Sequence, residues 1–136
     1  LAERNYALLG NAGEFLDPVF SSGVTIALKS SSLAIPLVDQ VLQGQPVNWM
    51  EQYEKPLREG IQVFRDYVES WYSGEFQDVV FSTQQDEKIR RMVSSLLAGY
   101  AWDTTNPIHK NAKKRLSTLA EYCRDPGLQQ TEVNGA

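Results

Sequence analysis

One loop of this 136-residue chain, between residues 10 and 23, holds the residue types best suited to binding a ligand. They are Gly10, Asn11, Ala12, Asp17, Pro18, Ser22, Gly23 and Val24. Glycine lets a backbone approach a ligand closely, and the first turn of a helix offers N–H groups that have no intrahelical acceptor. With the positive end of the helix dipole, such donors favour an anion or an electron-rich carbonyl. The loop therefore predicts a binding site, and no residue in it is an obvious acid, base or nucleophile.

The elements on either side must hold this loop in place. Tyr6–Leu9 reads as a short buried strand that ends at Gly10, and residues 23–43 read as a long helix. Pro36 should kink that helix, and Gly44 should end it. The pattern predicts a strand, a loop and a helix in succession, and the strand has no evident partner in the rest of the sequence.

A second helix is predicted after this junction. Asn48 and Glu51 have the spacing of a capping box, and the apolar positions that follow recur every three or four residues as far as about Tyr72. Pro56 should bend this helix or divide it in two. Its aromatic series favours a core, with a pocket for a planar or acyl substrate as the alternative. The series comprises Phe64, Tyr67, Trp71, Tyr72 and Phe76.

Two more helices complete the predicted fold. One covers residues 86–98 and stops at Gly99, and the last has Pro107 in its first turn. The last helix is expected to turn six residues inward: Ile108, Ala112, Leu116, Leu119, Ala120 and Cys123. The fold class is therefore mainly α, with one short strand.

A resemblance to a known family lies in the run Leu16-Asp17-Pro18-Val19-Phe20-Ser21-Ser22-Gly23-Val24, preceded by Gly10-Asn11-Ala12. It resembles the second flavin-binding motif of the FAD-dependent monooxygenase and halogenase superfamily. That motif is usually Gly-Asp-Ala, then Asp-Pro, then a Gly at a helix start. The sequence of this run is most similar to that of the flavin-dependent (tryptophan) halogenase branch. The resemblance implies part of an FAD-dependent oxidoreductase whose parent is an α/β, Rossmann-like FAD-binding enzyme.

The resemblance also implies roles for single residues. Asn11 would lie near the ribityl and pyrophosphate part of FAD, and the backbone at Gly23 and Val24 would face the pyrimidine edge of the isoalloxazine. In halogenases the backbone equivalent to Ser22-Gly23 also lies at the halide site. The family usually has Asp where this chain has Asn11, so the negative charge is lost while the capacity for hydrogen bonding remains.

Three regions follow from this interpretation. Residues 1–23 would end the FAD-binding domain, residues 24–124 would form a helical C-terminal region, and residues 125–136 would be a disordered tail. The Gly-x-Gly-x-x-Gly fingerprint that cradles FAD in this superfamily is absent from the sequence. We therefore expect a C-terminal segment that is inactive alone. Halogenation, hydroxylation and dehydrogenation all stay open, because the lysine and the Trp-x-Trp-x-x-Pro segment of halogenases precede this motif.

The distribution of charge indicates which classes of partner the chain could bind. The net charge of −4, from 13 basic and 17 acidic residues, favours neither nucleic acid nor an anionic membrane. The last helix is locally basic, and its cations are Lys110, Lys113, Lys114, Arg115 and Arg124. A solvated face whose cations complement the C-terminal end of the dipole is the favoured interpretation. The alternative is docking of an acidic partner such as a carrier protein, so the predicted substrate is a small molecule or is carrier-bound.

The remaining chemistry-bearing residues point to structural roles. Cys123 is the one cysteine, so the chain can form no internal disulfide, which favours a reducing, cytoplasmic compartment. It is expected to be buried as a small apolar residue. His109 is the one histidine and has no ligand cluster around it, so no metal site is predicted. No signal peptide or membrane-length apolar run is visible.

Two functional hypotheses result. The first is a segment of an FAD-dependent oxidoreductase, which should expose an apolar patch and self-associate through it. The alternative is an autonomous helical interaction module without a cofactor, which should be monomeric and show no such patch.

Overall fold

The structure is a computed structural model that describes residues 1–3, 6–18, 20, 22–83 and 87–124. It divides into two compact units, Leu1–Phe64 and Arg65–Ala136. The predicted tail, residues 125–136, lies outside the described residues.

The first unit opens with a small hairpin. Strand β1 (Ala2–Glu3) pairs antiparallel with β2 (Tyr6–Ala7), so that Ala2 lies opposite Ala7. The predicted strand is therefore shorter than Tyr6–Leu9 and has a partner. It is also not buried, since Tyr6 is 52% exposed. A two-residue strand carries no measurable alternation of apolar and polar residues, which is why the sequence could not reveal the pairing.

Helix α1 (Ser22–Leu42) confirms the predicted long helix to within one residue at each end. It continues through Pro36, and the chain leaves it at Gly44, whose φ of +75° suits glycine. One stripe of α1 is buried, formed by Ser22, Ile26, Ser30, Ala34 and Leu37. Other positions of α1 expose large apolar side chains, namely Val24, Leu28, Ile35, Val38, Val41 and Leu42.

The second predicted helix is one continuous helical run that changes its hydrogen-bonding pattern just before Pro56. A π-helical turn (Met50–Glu54) runs directly into helix α2 (Lys55–Tyr72), so Pro56 follows the π turn inside the run and does not divide it. Asn48 Oδ1 accepts the Glu51 N–H at 3.2 Å, as in a capping box. The reciprocal partner is Gln52, not Glu51: its Oε1 accepts the Asn48 N–H at 2.9 Å. The wider π turn explains this shift of one residue.

The second unit contains a short helix that the sequence did not predict, α3 (Glu75–Phe81), which follows Gly74 at a φ of +87°. Helix α4 (Glu87–Leu97) agrees with the predicted helix over 86–98, although residue 86 lies outside the described residues. Gly99 ends α4 as predicted. Its φ is +94°, and the next residue, Tyr100, donates its N–H to Ser95 O at 3.1 Å.

The last helix begins later than predicted. Helix α5 (Ala112–Arg124) starts five residues after Pro107, because residues 107–111 form turns and Asn111 has a φ of +58° that no α-helix accommodates. Helix α3 packs against α5, and Ser117 Oγ donates to Glu75 Oε1 at 2.9 Å. The predicted inward residues Ile108, Ala112, Leu116 and Ala120 are buried, whereas Leu119 and Cys123 are half-buried.

The aromatic series forms core and not a pocket. Tyr67 and Phe76 are fully buried and meet edge to face, with ring centroids 4.9 Å apart, and Trp71 lies 6.0 Å from Phe76. Phe64 is buried as well, while Tyr72 is exposed. The core interpretation is thus the better one for three of the five aromatic residues.

Two buried tyrosines should respond in opposite directions to loss of the hydroxyl. Tyr53 donates to Leu8 O at 2.6 Å, whereas Tyr67 has no hydrogen-bond partner for its hydroxyl among the residues that the structure describes. A buried polar group without a partner costs free energy, so we expect Tyr67→Phe to raise the free energy of unfolding by about 1 kcal/mol. Tyr53→Phe should lower the free energy of unfolding by about 1 kcal/mol, since it removes the hydrogen bond to Leu8 O.

Urea denaturation of both variants and of the wild type measures this difference. A loss of stability in Tyr67→Phe as large as that in Tyr53→Phe would mean that the Tyr67 hydroxyl does have a partner.

Candidate ligand-binding cleft

The loop predicted to bind a ligand starts with a tight turn at the end of the hairpin. Gly10–Ala12 form a single 3₁₀ turn, and Gly10 is buried with a φ of +52°. A Cβ added at Gly10 would lie 3.1 Å from Ala27 Cβ and 3.4 Å from Ala27 Cα. The position therefore requires glycine twice over, for its backbone conformation and for its close approach to α1.

A buried hydrogen bond fixes this turn to α1. The Gly10 N–H donates to Ser30 Oγ at 2.9 Å, and Ser30 Oγ donates in turn to Ala27 O at 3.0 Å. Ser30 is fully buried on the inner stripe of α1. Its hydroxyl thus serves as acceptor and donor at once, which satisfies a loop N–H that would otherwise be buried without a partner.

Tyr53 supports the same turn from the π-helical segment. Its hydroxyl donates to Leu8 O, two residues before Gly10. Burial raises the pKa of Tyr53 and the Glu54 carboxylate adds to the rise, while a hydrogen bond with Ser30 opposes it. A phenol is protonated at neutral pH even at its ordinary pKa, and the rise keeps Tyr53 a donor to the backbone of the loop at more alkaline pH as well.

The two ends of the loop meet at Asn11 and Gly23. A Cβ added at Gly23 would lie 3.1 Å from Asn11 Oδ1, so the amide of Asn11 lies directly over the backbone at the start of α1. Earlier in the loop, Gly10 O accepts the N–H groups of Gly13 and Glu14, both at 3.0 Å. These contacts hold residues 10–14 beside the start of α1.

An open cleft of 690 Å³ lies at this junction, which we call the junction cleft. Its lining comprises Leu9, Gly10, Asn11, Phe15, Asp17, Pro18, Gly23, Val24 and Ala27. The volume lies within the range of small-molecule sites, about 300–1,000 Å³. The lining is mostly apolar, with a carboxylate, an amide and the first turn of α1 as its polar parts.

Six of the eight predicted site residues line the junction cleft: Gly10, Asn11, Asp17, Pro18, Gly23 and Val24. Ala12 lies exposed on the 3₁₀ turn, and the side chain of Ser22 is only 2% exposed, on the inner stripe of α1. Neither of these two side chains lines the cleft.

Sequence reasoning missed three lining residues, Leu9, Phe15 and Ala27, and the two supports Ser30 and Tyr53. Ala27 was detectable, because it lies three and four residues after Val24 and Gly23 and therefore on the same helix face. Ser30 was detectable too, because it is a polar residue on the otherwise mostly apolar inner stripe of α1. Nothing in the sequence indicates that Tyr53 reaches Leu8.

The junction cleft is equipped for binding and not for acid–base chemistry. Asp17 is the one titratable residue in its lining, and no group of three potential metal ligands occurs among the described residues. The N–H groups in the first turn of α1 have no intrahelical acceptor and carry the positive end of the dipole. The arrangement can hold a largely apolar ligand that presents an electron-rich oxygen to the start of α1.

Comparison with known proteins finds relatives among curated sequences and among solved structures. No protein-family profile matches the chain. The 1H-pyrrole-2-carbonyl-[peptidyl-carrier protein] chlorinase of Pseudomonas fluorescens is 29% identical over 98 residues, which are 70% of this chain and 21% of the chlorinase. A solved structure, a flavoprotein/dehydrogenase from Cytophaga hutchinsonii, has a TM-score of 0.81 and 43% identity over 85% of this chain and 29% of that one.

The chain thus spans less than a third of the length of either relative. The predicted resemblance to FAD-dependent oxidoreductases, and to a halogenase-like branch among them, is confirmed by one relative that is a chlorinase and another that is a flavoprotein. The mainly helical fold class is confirmed too. None of the described helices has both the length and the apolarity that crossing a membrane requires.

The close approach of Gly10 to α1 predicts a difference between two glycines with left-handed backbones. Gly44→Ala should lower the free energy of unfolding by about 1 kcal/mol, because its φ of +75° strains any side chain although no atom lies within 4 Å of the added Cβ. Gly10→Ala carries the same strain and also presses on Ala27, so it should cost about 1–3 kcal/mol more. Chemical denaturation of the two variants tests this, and equal losses would contradict the close approach.

Proposed function

We propose that this chain is part of an FAD-dependent oxidoreductase and that its junction cleft holds the flavin. The observation that carries the proposal is the convergence of six residues of the flavin-motif resemblance on one cleft at the N-terminus of α1. The chlorinase and the flavoprotein among its relatives support the same assignment. Halogenation and dehydrogenation both remain within the proposal, since one relative is named for each.

The residues of the cleft fit such a cofactor. Gly10 and Gly23 are positions where a side chain would meet neighbouring atoms, which leaves bare backbone beside the ligand. Phe15 and Val24 are exposed apolar side chains in the lining, and both suit contact with a planar ring. Asp17 is the one carboxylate in the lining. The part of the cleft that attracts electron-rich groups is therefore the start of α1, with its free N–H groups and the positive end of the dipole.

Each residue then has a role in binding. We assign the backbone N–H groups of Gly23 and Val24 to the pyrimidine edge of the flavin, where they favour negative charge on a carbonyl oxygen. Asn11 is assigned to a ribityl hydroxyl, for which its amide can donate and accept. A bound flavin supplies the hydride or oxygen chemistry, while these residues orient it and limit the access of water.

The exposed face of α1 supports a larger parent enzyme over an autonomous module. It forms an apolar groove of 410 Å³ with residues of the hairpin and Trp49. An apolar surface of this kind is expected where another part of a protein packs, and it is rare on a small monomer. We propose that residues 1–23 complete a FAD-binding domain, that residues 24–124 form the helical region beside it, and that self-association is the outcome when the groove stays uncovered.

The substrate is part of the same proposal. One relative is a chlorinase of a pyrrole carbonyl on a peptidyl-carrier protein, which favours a carrier-bound substrate here, with a free small molecule as the alternative. The single cysteine fits a reducing, cytoplasmic compartment for this enzyme.

A titration of the isotope-labelled chain with FAD, followed by amide NMR, tests the flavin assignment. Binding is expected to be weak, with shifts concentrated at Asn11, Gly23 and Val24. Riboflavin should shift the same amides because it carries the ring, whereas ADP should not. Equal shifts with ADP, or shifts elsewhere in the chain, would contradict the proposal.

Two matched variants sharpen this prediction. Val24 and Leu28 are both 69% exposed on adjacent turns of α1, but of the two only Val24 lines the cleft. Val24→Glu should abolish the FAD-induced shifts, because its carboxylate opposes electron-rich oxygens at the helix start. Leu28→Glu should retain them, and an equal effect of both variants would count against the cleft as the site.

A further inference from the structure

The second unit contains a cleft that the flavin proposal does not use. It has a volume of 380 Å³ and lies between α4, α5 and the loop that joins them. Its lining comprises Met92, Pro107, Ile108, Asn111, Lys114, Arg115, Thr118 and Leu119. We call it the α4–α5 cleft.

The loop wall of this cleft is held by one side chain. Asn106 Nδ2 donates to Met92 O at 3.1 Å and to Ser95 Oγ at 2.7 Å, both on α4. Asn106 Oδ1 accepts the Ile108 N–H at 3.0 Å. Two hydrogen bonds to α4 and one within the loop thus hold this wall of the cleft in place.

The structure divides the basic residues of this region into two groups. Lys113 Nζ pairs with Glu69 Oε2 at 3.0 Å, and this hydrogen bond raises the pKa of Lys113. Lys114 and Arg115 instead line the cleft, and Lys114 forms no ion pair among the described residues. Arg115 Nε donates to Lys110 O at 3.1 Å, which leaves the other donors of its guanidinium for a further partner.

The position of these cations on α5 is unfavourable for the helix itself. The sequence interpretation assigned them to complementing the C-terminal end of the dipole. That is wrong for Lys113, Lys114 and Arg115, because α5 begins at Ala112 and places all three in its first turn. Positive charge at a helix N-terminus opposes the dipole. Arg124 alone lies in the last turn.

The carboxylates that reach the start of α5 act on Lys113: Glu69 pairs with it, and Asp66 and Glu75 add attraction. Glu87 pairs with Arg90 and Arg91 on α4. Asp103 accepts two hydrogen bonds from Thr105, which lower its pKa. Glu121 is exposed on α5, seven residues beyond Lys114. Among the described residues, no ion pair involves Lys114 or Arg115, so the part of the cleft rim that these two side chains form is positive, and the helix dipole adds to it.

We propose that the α4–α5 cleft docks an acidic amphipathic helix of a protein partner. Apolar side chains of that helix would contact Met92, Leu119 and Pro107, and its carboxylates would pair with Lys114 and Arg115. Methionine adapts to varied apolar surfaces, and an apolar groove with a charged rim is a known mode of helix recognition. The chain as a whole carries a charge of −4, so attraction for an acidic partner is confined to this rim. The inference goes beyond the flavin proposal and does not depend on it.

The test uses a synthetic, fluorescein-labelled peptide of about four helical turns, with leucines on one face and glutamates beside them. Fluorescence anisotropy measures its affinity for the full chain. The double variant Lys114→Gln with Arg115→Gln should lose at least ~10-fold in affinity, in keeping with close interfacial charge pairs. Lys113→Gln, the adjacent control, should bind within about twofold of wild type, because its charge is already paired.

Further readouts separate docking from general charge attraction. A peptide of the same composition, with its residues reordered so that no apolar face forms, should bind much more weakly. Single-stranded DNA and phosphatidylserine vesicles should not compete with the helical peptide. Thermal melts should show the double variant at least as stable as wild type, since it removes cations from a helix N-terminus.

Four results would overturn the proposal: no saturable binding of the helical peptide, unchanged binding by the double variant, an equal loss in Lys113→Gln, or displacement of the peptide by DNA or vesicles. If the double variant has a lower melting temperature than wild type, the single variant Lys114→Gln replaces it, and its affinity for the peptide is compared with those of wild type and Lys113→Gln. FAD plays no part in these measurements, so their failure would leave the flavin assignment intact.

Discussion

The hydrogen bond from the Gly10 N–H to Ser30 Oγ is the interaction on which the arrangement of the first unit depends. It joins the end of the hairpin to the middle of α1, and it brings Gly10 so close to Ala27 that an added Cβ would lie only 3.1 Å from Ala27 Cβ. With the turn fixed there, Asn11 lies over Gly23 and the junction cleft opens beside them. A buried N–H without an acceptor would cost about 1–3 kcal/mol, so the serine hydroxyl is required for a turn of this shape.

Much of the fold could be predicted from the sequence, and the failures have physical causes. The extents of α1 and α4 and the glycines that end them followed from helical periodicity and from the chemistry of left-handed residues. The hairpin and α3 were missed because two and seven residues are too short to show a period. The start of α5 was misplaced because Pro107 suggested a first turn, while the left-handed backbone of Asn111 moves that turn further along the chain.

The loop residues of the candidate site could be predicted from the sequence, but the contacts of the two residues that hold the loop in place, Ser30 and Tyr53, could not. Six of its residues lie in one contiguous run, where glycine and Asp-Pro spacing is visible. Ser30 and Tyr53 come from later elements, and their roles depend on contacts over 20 and 45 residues of sequence. In the second unit, the significance of Lys114 and Arg115 depends on where α5 begins, which the sequence did not reveal. The same cations, at the start of a helix instead of its end, oppose the helix dipole instead of complementing it.

Amide hydrogen exchange at Gly10, measured by NMR in the wild type and in Ser30→Ala, would show whether the serine hydroxyl holds the turn. The Gly10 N–H belongs to no helical or sheet ladder, so its protection should come from the Ser30 hydroxyl. We expect slow exchange at Gly10 in the wild type and exchange near that of an exposed loop amide in Ser30→Ala, with the amides of α1 still protected. Fast exchange at Gly10 in the wild type, or protection that survives in Ser30→Ala, would contradict this expectation.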